Sequence, residues 1–359
     1  MKETVIRYSI ICCDVDPDRP IFGGLDSSRS GPQVWKGAEK SFEYVDDLRC
    51  MIRAEHLSEF RLNWYMRTDR QMGDLYGDEA YCVHRFETQW KQAQEQGDGV
   101  GWHPHTWRWN EKDSCWFQEA TDSQWMAKML QEGFDMFVCA AGFRPRTARM
   151  GWAFHDDISV KTLDGLGIEA DLSCVPNMEC RGVGPPSSKV NIYDWIGSPN
   201  VPFHPRRTDY RHPGSSEAES LRLVEIPMTT YELRLVDDEY LRGIVPLMRK
   251  PMHKFPLSLK RPVIGRTRIL FATSRPSSFK NAVTSVSVKE AVTYIGCYFH
   301  PDELIDETLR KNLQENMLWL ASLGVEFINA NNAIRTLKKE VVPSSCGNRG
   351  DTKRVTRRL

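Results

Sequence analysis

The sequence predicts an α/β protein built on a parallel sheet or barrel. Short apolar runs rich in β-branched and aromatic residues alternate with helical patterns along the chain, which is typical of strands joined by helices. A chain of 359 residues is also long enough to bury a large core. Its 40% hydrophobic and 27% charged residues are ordinary for a globular protein.

Eight segments are predicted to be strands because each is a short apolar run between turn or helix signals. They are residues 5–13, 60–67, 99–105, 136–140, 168–172, 221–226, 293–299 and 325–328.

Two helices are predicted from periodicity and end signals. Over residues 42–55, apolar side chains recur at spacings of three and four: Phe42, Val45, Leu48 and Ile52. The second runs from Pro301, a residue favoured in a first helical turn, to Gly324, which ends it.

The predicted domain covers residues 1–340, with long loops at its rim. Residues 17–40 and 175–218 are rich in Pro, Gly and Ser and are too long for plain connectors. Residues 249–268 are basic and broken by prolines. This segment could form a solvated face, bind an anionic substrate or make a peripheral contact with a membrane surface. The tail 341–359 is basic, with almost no apolar content, and is predicted to be disordered.

Charge and cysteine usage limit the partners. Lys+Arg and Asp+Glu balance at 48 each, so no overall field favours nucleic acid. No apolar stretch approaches the length of about 18 residues that a membrane-spanning helix needs, and no secretory signal is recognised. The 10 cysteines are scattered without a CxxC pair, which favours a reduced, cytoplasmic chain. The oligomeric state stays open.

Two pairs of polar residues lie at predicted strand ends. Because side chains alternate along a strand, Asp14 and Asp16 in "CCDVDPD" point the same way, as do His103 and His105 in "GWHPHTW". Imidazoles and carboxylates are ligands of zinc, and a catalytic site keeps three protein ligands with one position open. One aspartate and two histidines would provide such a set, and the other aspartate would be free to act as a base.

Two more residues are candidates for the same site. Arg149 in "ARMGW" would suit a fixed cation that orients a carboxylate, although a solvated surface charge is the commoner fate of arginine. His300 in "YFHPDEL" lies where a strand meets a helix, a position at which a barrel displays acids and bases. Trp107 and His155 are candidate substrate-binding residues. Aromatic rings stack on sugars, although tryptophans as dense as these are as often packing residues, and His155 lies in a rim loop.

The order of these motifs resembles that of the polysaccharide deacetylases, the carbohydrate esterase group that contains the chitooligosaccharide deacetylases. The resemblance extends from about residue 5 to residue 330 and includes "LNWYMRTD", "EADLSC" and "LVEIPM". It implies a distorted (β/α) barrel of seven or eight strands, a divalent metal that is usually zinc, and removal of an N-acetyl group from an acetylated amino sugar.

The resemblance also implies roles for individual residues. Asp14 would be the general base, Arg149 its partner and His300 the general acid. Asp16, His103 and His105 would bind the metal, and Trp152 would form an aromatic wall of the substrate groove.

Two departures from the family pattern leave alternatives open. Many members space the two histidines four apart, whereas here they are two apart, so one of His103 and His105 could lie outside the ligand set. Asp-x-Asp replaces the usual adjacent pair, which blurs the choice between Asp14 and Asp16 as base and ligand. Hydrolysis of another non-peptide amide on the same scaffold, or sugar binding without catalysis, are the alternative functions.

Overall fold

The computed structural model describes residues 6–18, 34–112, 114–181, 191–232, 267–289 and 294–341. Within these ranges, one eight-stranded sheet forms the centre of the fold, and all of its strand pairs are parallel. Its strands are β1 (Tyr8–Val15), β2 (Asn63–Arg67), β3 (Gly99–His103), β6 (Thr147–Ala148), β7 (Ala170–Asp171), β12 (Val224–Glu225), β15 (Tyr294–Phe299) and β16 (Glu326–Phe327).

The order of the strands is β12-β7-β6-β3-β2-β1-β15, with β16 also paired to β1. The first strand therefore lies inside the sheet, with β15 along one edge and with β2 and β16 along the other. Its sequence, YSIICCDV, is buried at every position after Tyr8. Such a continuous apolar run is typical of a parallel strand that is covered on both faces.

The sheet curls into an incomplete barrel. The chain after β12 approaches β15, where the Thr229 amide donates to the Gly296 carbonyl over 2.8 Å. Farther along β15, the Ala272 amide donates to the Tyr298 carbonyl over 2.9 Å. Isolated backbone contacts of this kind, rather than a regular ladder, join the two edges. The prediction of an α/β fold with a distorted barrel is confirmed.

Nine α-helices are described. They are α1 (Lys36–His56), α2 (Arg70–Tyr76), α3 (Tyr81–Arg85), α4 (Glu87–Glu95), α5 (Ser123–Ala141), α6 (Asp157–Leu166), α7 (Pro276–Lys289), α8 (Glu307–Ser322) and α9 (Ala330–Val341). The first begins at Lys36, inside the region 17–40 that was predicted to be an insertion.

The predicted strand at residues 136–140 is wrong, because this segment ends α5. The apolar run is the last part of an amphipathic helix that buries Met126, Leu130, Phe134 and Phe137 at spacings of three and four. Asp122 caps its first turn, and Gly142 ends it in the left-handed conformation.

The predicted helix at 301–324 is two helices. Residues Pro301–Ile305 form a 3-10 turn, and α8 starts afresh after Asp306, whose side chain accepts from the Thr308 and Leu309 amides. The break matters for the site because it holds Glu303 beside the end of β15.

Apart from the main sheet, the described residues form four small antiparallel sheets of two strands each. They pair β4 (Trp107–Asn110) with β5 (Cys115–Gln118), β8 (Glu179–Arg181) with β9 (Asn191–Asp194), β10 (Pro205–Arg206) with β11 (Asp209–Pro213), and β13 (Thr230–Glu232) with β14 (Thr267–Ile269). In the described part of the long segment between β7 and β12, Trp195 is fully buried, and its indole nitrogen donates to the Ala153 carbonyl over 2.8 Å.

Two predictions concern segments that are largely outside the described residues. These are the basic stretch 249–268, apart from Thr267 and Arg268, and the tail 341–359, apart from Val341. Among the helices that are described, none combines the length and the apolar character needed to cross a membrane.

Candidate active site

The predicted site residues come together at the carboxyl ends of four strands. Asp14 and Asp16 lie at the end of β1, and His103 is the last residue of β3. Arg149 follows β6 directly, and His300 follows β15 directly. In barrels of this type the carboxyl ends of the strands form the face that carries catalytic groups.

Three side chains form a candidate metal centre. The His103 and His105 Nε2 atoms are 3.2 Å apart. The Asp16 carboxylate lies 3.6 Å from each of them, with Oδ2 toward His103 and Oδ1 toward His105. Tetrahedral zinc with bonds of about 2.0–2.1 Å separates its ligands by about 3.3–3.4 Å. The donor spacing therefore fits one divalent ion, and Asp16 is the aspartate that lies with the histidines.

The His103 ring is oriented for this role. Its Nδ1 lies 2.6 Å from the Arg149 carbonyl oxygen, which accepts a hydrogen bond and so places the proton on Nδ1. The lone pair of Nε2 then faces the centre. A carbonyl partner of this kind commonly fixes the tautomer of a metal-binding histidine.

Packing rather than hydrogen bonding holds the His105 ring. Its Nδ1 is buried without a hydrogen-bond partner among the described residues. The ring stacks on Trp107, with centroids 5.8 Å apart, and its other side lies against Gly151. Burial, followed by the Arg67 charge, lowers the pKa of His105 to about 4, so its imidazole is neutral and can serve as a ligand near neutral pH.

Arg67, the last residue of β2, contacts the same carboxylate. Its Nη1 lies 3.0 Å from Asp16 Oδ1, and its other nitrogens donate to Asp69 and Gln71. Burial would raise the pKa of Asp16, but His105, His103 and Arg67 outweigh it and hold that pKa well below its usual range. Arg67 therefore keeps the candidate ligand ionised and leaves Oδ2 directed at His103.

Gly151 gives a test of the His105 packing. A Cβ at this position would lie 2.1 Å from both Cε1 and Nδ1 of His105, so the Gly151→Ala side chain must displace the ring. We expect metal affinity to fall about 10–100-fold, as is common when the support of a ligand is lost. Titration against a competing chelator measures it. Gly165→Ala, where a Cβ would meet nothing within 4 Å, is the matched control and should leave affinity unchanged.

Asp14 belongs to a second set of groups next to the metal centre. The Arg149 Nε lies 2.7 Å from its Oδ1 and 3.0 Å from its Oδ2, and both side chains are buried. The Arg149 guanidinium also lies 4.1 Å above the Tyr298 ring and donates to the Leu172 carbonyl. Burial would lower the pKa of Arg149, but the Asp14 carboxylate outweighs it and raises that pKa. Arg149 therefore stays charged and orients Asp14.

His300 completes this set from the end of β15. Its Nε2 lies 3.9 Å from Asp14 Oδ2, and its Nδ1 lies 3.2 Å from Glu303 Oε1. Glu303 is buried and also accepts from the Thr273 hydroxyl, so its carboxylate is fixed. His300 Nδ1 then carries a proton and donates a hydrogen bond to Glu303, and Nε2 faces Asp14.

The three predicted substrate-binding residues differ in position. Trp107 lies against His105, and its ring centroid is 6.5 Å from that of the half-buried Trp152. Trp152 has a φ of 61°, a strained backbone conformation for a bulky residue. The His155 side chain is fully buried and bound to Asp171, so it presents no surface to a substrate.

Comparison with solved structures places this arrangement in a known fold. The chain is similar to a candidate glycoside hydrolase/deacetylase of Parabacteroides distasonis, with a TM-score of 0.51 and 13% identity over 94% of this chain and 73% of that one. The two chains share one fold. The resemblance predicted from the sequence is thereby confirmed at the level of the fold.

Two further structures are similar over most of the chain. A candidate polysaccharide deacetylase of Mycobacterium smegmatis has a TM-score of 0.47 and 13% identity over 100% of this chain and 96% of that one. The allantoinase Puue has a TM-score of 0.46 and 12% identity over 93% and 90%. Neither a family model nor a curated protein matches the sequence.

The structure adds two groups that sequence reasoning assigned no role. Arg67 stands at the last position of a predicted strand, in the quoted stretch "LNWYMRTD", and that position was its signal. Glu303 is three residues after His300. The helix dipole favours acidic residues in a first helical turn, so an acid at this position does not by itself indicate a functional role.

Proposed function

We propose that the protein is a metal-dependent hydrolase that removes an N-acetyl group from an acetylated amino sugar. The observation that carries this proposal is the donor set of Asp16, His103 and His105, spaced 3.2–3.6 Å apart, directly beside the Asp14 carboxylate. A metal centre next to a base and an acid is the arrangement that amide hydrolysis by activated water requires.

A divalent cation in this centre, zinc by its preference for imidazole and carboxylate, would supply a Lewis acid for the acetyl carbonyl and for water. Asp14 accepts the proton that the attacking water gives up. Arg149 contributes by holding the Asp14 carboxylate in one orientation.

The leaving amine requires a proton when the C–N bond breaks. His300 Nε2, close to Asp14, is the group that donates it. Glu303 supports this step because it accepts a hydrogen bond from Nδ1 and so fixes the orientation of the ring that must donate the proton. Acetate and a free amino sugar are the products.

Aromatic rings beside the metal centre favour a sugar as the substrate. Trp107 is buried next to His105, and Trp152, beside it, is partly exposed and presents its ring to solvent. A pyranose ring presents apolar C–H faces that stack on such rings, and its hydroxyl groups remain free for the polar rim.

The test is acetate release from a panel of acetylated amino sugars, including nucleotide-linked and lipid-linked ones, by protein reconstituted with zinc. We expect turnover that a chelator abolishes and added metal restores. Linear and cyclic amides without a sugar are the matched panel. If only those amides are hydrolysed, the substrate is a non-sugar amide and not an acetylated amino sugar. If the protein binds metal and sugar but turns over no amide, it is a sugar-binding protein without catalytic activity.

A further inference from the structure

A second cluster of metal-binding side chains lies outside the candidate active site. Asp171 ends β7, Glu225 ends β12, and His155 precedes α6. Their donor atoms all lie within 4.8 Å of one another. We call these three residues the buried triad.

The buried triad is sealed from solvent. All three residues belong to the buried polar set, and the side chains of His155 and Asp171, like the whole of Glu225, are 0% exposed. Neither carboxylate oxygen of Glu225 has a hydrogen-bond donor among the described residues. Its neighbour is the Asp171 carboxylate, with which Glu225 forms a hydrogen bond only when it carries a proton. An unpartnered buried carboxylate is costly, so a group that satisfies Glu225 is expected.

Charge within the buried triad points to a cation. Two carboxylates lie on paired positions of adjacent strands, Asp171 opposite Glu225. Within the described residues, the ion pairs of Asp171 and Glu225 include no lysine or arginine, and His155 is the partner of Asp171. Burial and the Asp171 charge raise the pKa of Glu225 well above its ordinary value. A divalent ion would favour the ionised form of Glu225 and offset its charge beside Asp171, where no lysine or arginine does.

The hydrogen bonds of Asp171 and His155 are compatible with the binding of such an ion by His155 Nε2 and Asp171 Oδ2. His155 Nε2 lies 3.0 Å from Asp171 Oδ2, close to the separation of two ligands on one tetrahedral ion. His155 Nδ1 has its own partner, the Ser159 hydroxyl at 3.0 Å, as the outer nitrogen of a metal-binding histidine usually does.

We propose that His155, Asp171 and Glu225 bind a second divalent transition-metal ion of the zinc or manganese class, with a structural role. One imidazole and two carboxylates are a donor set that such ions accept. The site is closed on all sides, so the ion enters as the chain folds, and no substrate reaches it.

This second ion would stabilise the strand end that carries the candidate active site. Asp171 accepts from the Ser173 hydroxyl over 2.8 Å, and Ser173 in turn accepts from the Met150 amide over 2.8 Å. Met150 follows Arg149, whose guanidinium donates to the Leu172 carbonyl. Two hydrogen bonds, both made by the Ser173 hydroxyl, therefore connect the buried triad to the backbone that positions Arg149.

The experiment is metal analysis of the full chain, folded in the presence of zinc or of manganese and then freed of loosely bound ions. We expect two equivalents per chain in the wild type. His103→Ala should retain one equivalent, Glu225→Gln should retain one, and the double variant should retain none. Asp98→Asn, which alters a buried carboxylate that Arg49 and Trp64 already satisfy, is the matched control and should retain two.

One outcome overturns the proposal. A wild-type chain that saturates at one equivalent, all of which His103→Ala removes, would show that the buried triad holds no ion. That result would not affect the proposed hydrolase function. By contrast, one equivalent of metal that remains bound to His103→Ala supports the second site, even if Glu225→Gln fails to fold. Thermal unfolding with and without chelator gives a second measurement, since His103→Ala should still lose stability when its remaining ion is removed.

Discussion

Replacing Asp14 with asparagine should lower kcat by about 10²–10⁴-fold while metal content stays at the wild-type value. General base catalysis contributes a factor of this size, and a carboxamide cannot accept the proton of water. Metal content is expected to persist because Asp16, and not Asp14, lies with the two histidines. The measurements are acetate release at saturating substrate and metal equivalents on the same sample.

Stability must be followed in the same variant. Arg149 is buried against Asp14, and removal of one partner of a buried pair commonly costs about 3–5 kcal/mol. Asp164→Asn is the matched control, since Asp164 is a buried carboxylate that caps the Arg222 and Leu223 amides away from the site. Full activity in Asp14→Asn would refute the base assignment, and loss of metal would make Asp14 a ligand.

Replacing His103 with alanine should abolish turnover and remove one equivalent of bound metal. The variant loses a donor that lies 3.2 Å from His105 Nε2 and 3.6 Å from Asp16 Oδ2, which leaves two of the three protein ligands. We expect its residual rate to equal that of chelator-treated wild-type protein. Added zinc should restore the rate of the chelator-treated wild type but not that of the variant.

The matched control for His103 is His84→Ala. His84 is an exposed histidine that contacts Asp78 on the surface, 2.7 Å away, and its loss should change neither metal content nor rate. Full metal occupancy together with a normal rate in His103→Ala would refute the proposed centre.

Strand alternation was sufficient to predict much of the site. Asp14 on β1, Asp16 directly after β1 and His103 at the end of β3 follow from side chains that point the same way along a strand. His105 lies beyond β3, so alternation alone did not guarantee that it would face His103. The contact of its ring with Gly151 and Trp107 determines that orientation.

The failures have physical reasons of their own. The apolar run at 136–140, which was predicted to be a strand, is too short to distinguish a strand from the end of a helix. His155 was predicted to bind substrate because of its loop, but its partner Asp171 is 16 residues away in sequence and on another strand. Glu225 was not predicted at all, since only the pairing of β7 with β12 brings it to Asp171.

The position of β1 inside the sheet has a consequence for folding kinetics. One edge of β1 pairs only with β15, from Tyr8 opposite Tyr294 onward, so this edge lacks its partner until nearly 290 further residues have been made. At about 5–20 residues per second, a ribosome needs roughly 15–60 s to make them. During this interval an apolar strand edge is exposed to other chains, and the high contact order favours slow folding. We therefore expect refolding yield to fall steeply with protein concentration, and metal uptake to be among the last events as the chain folds.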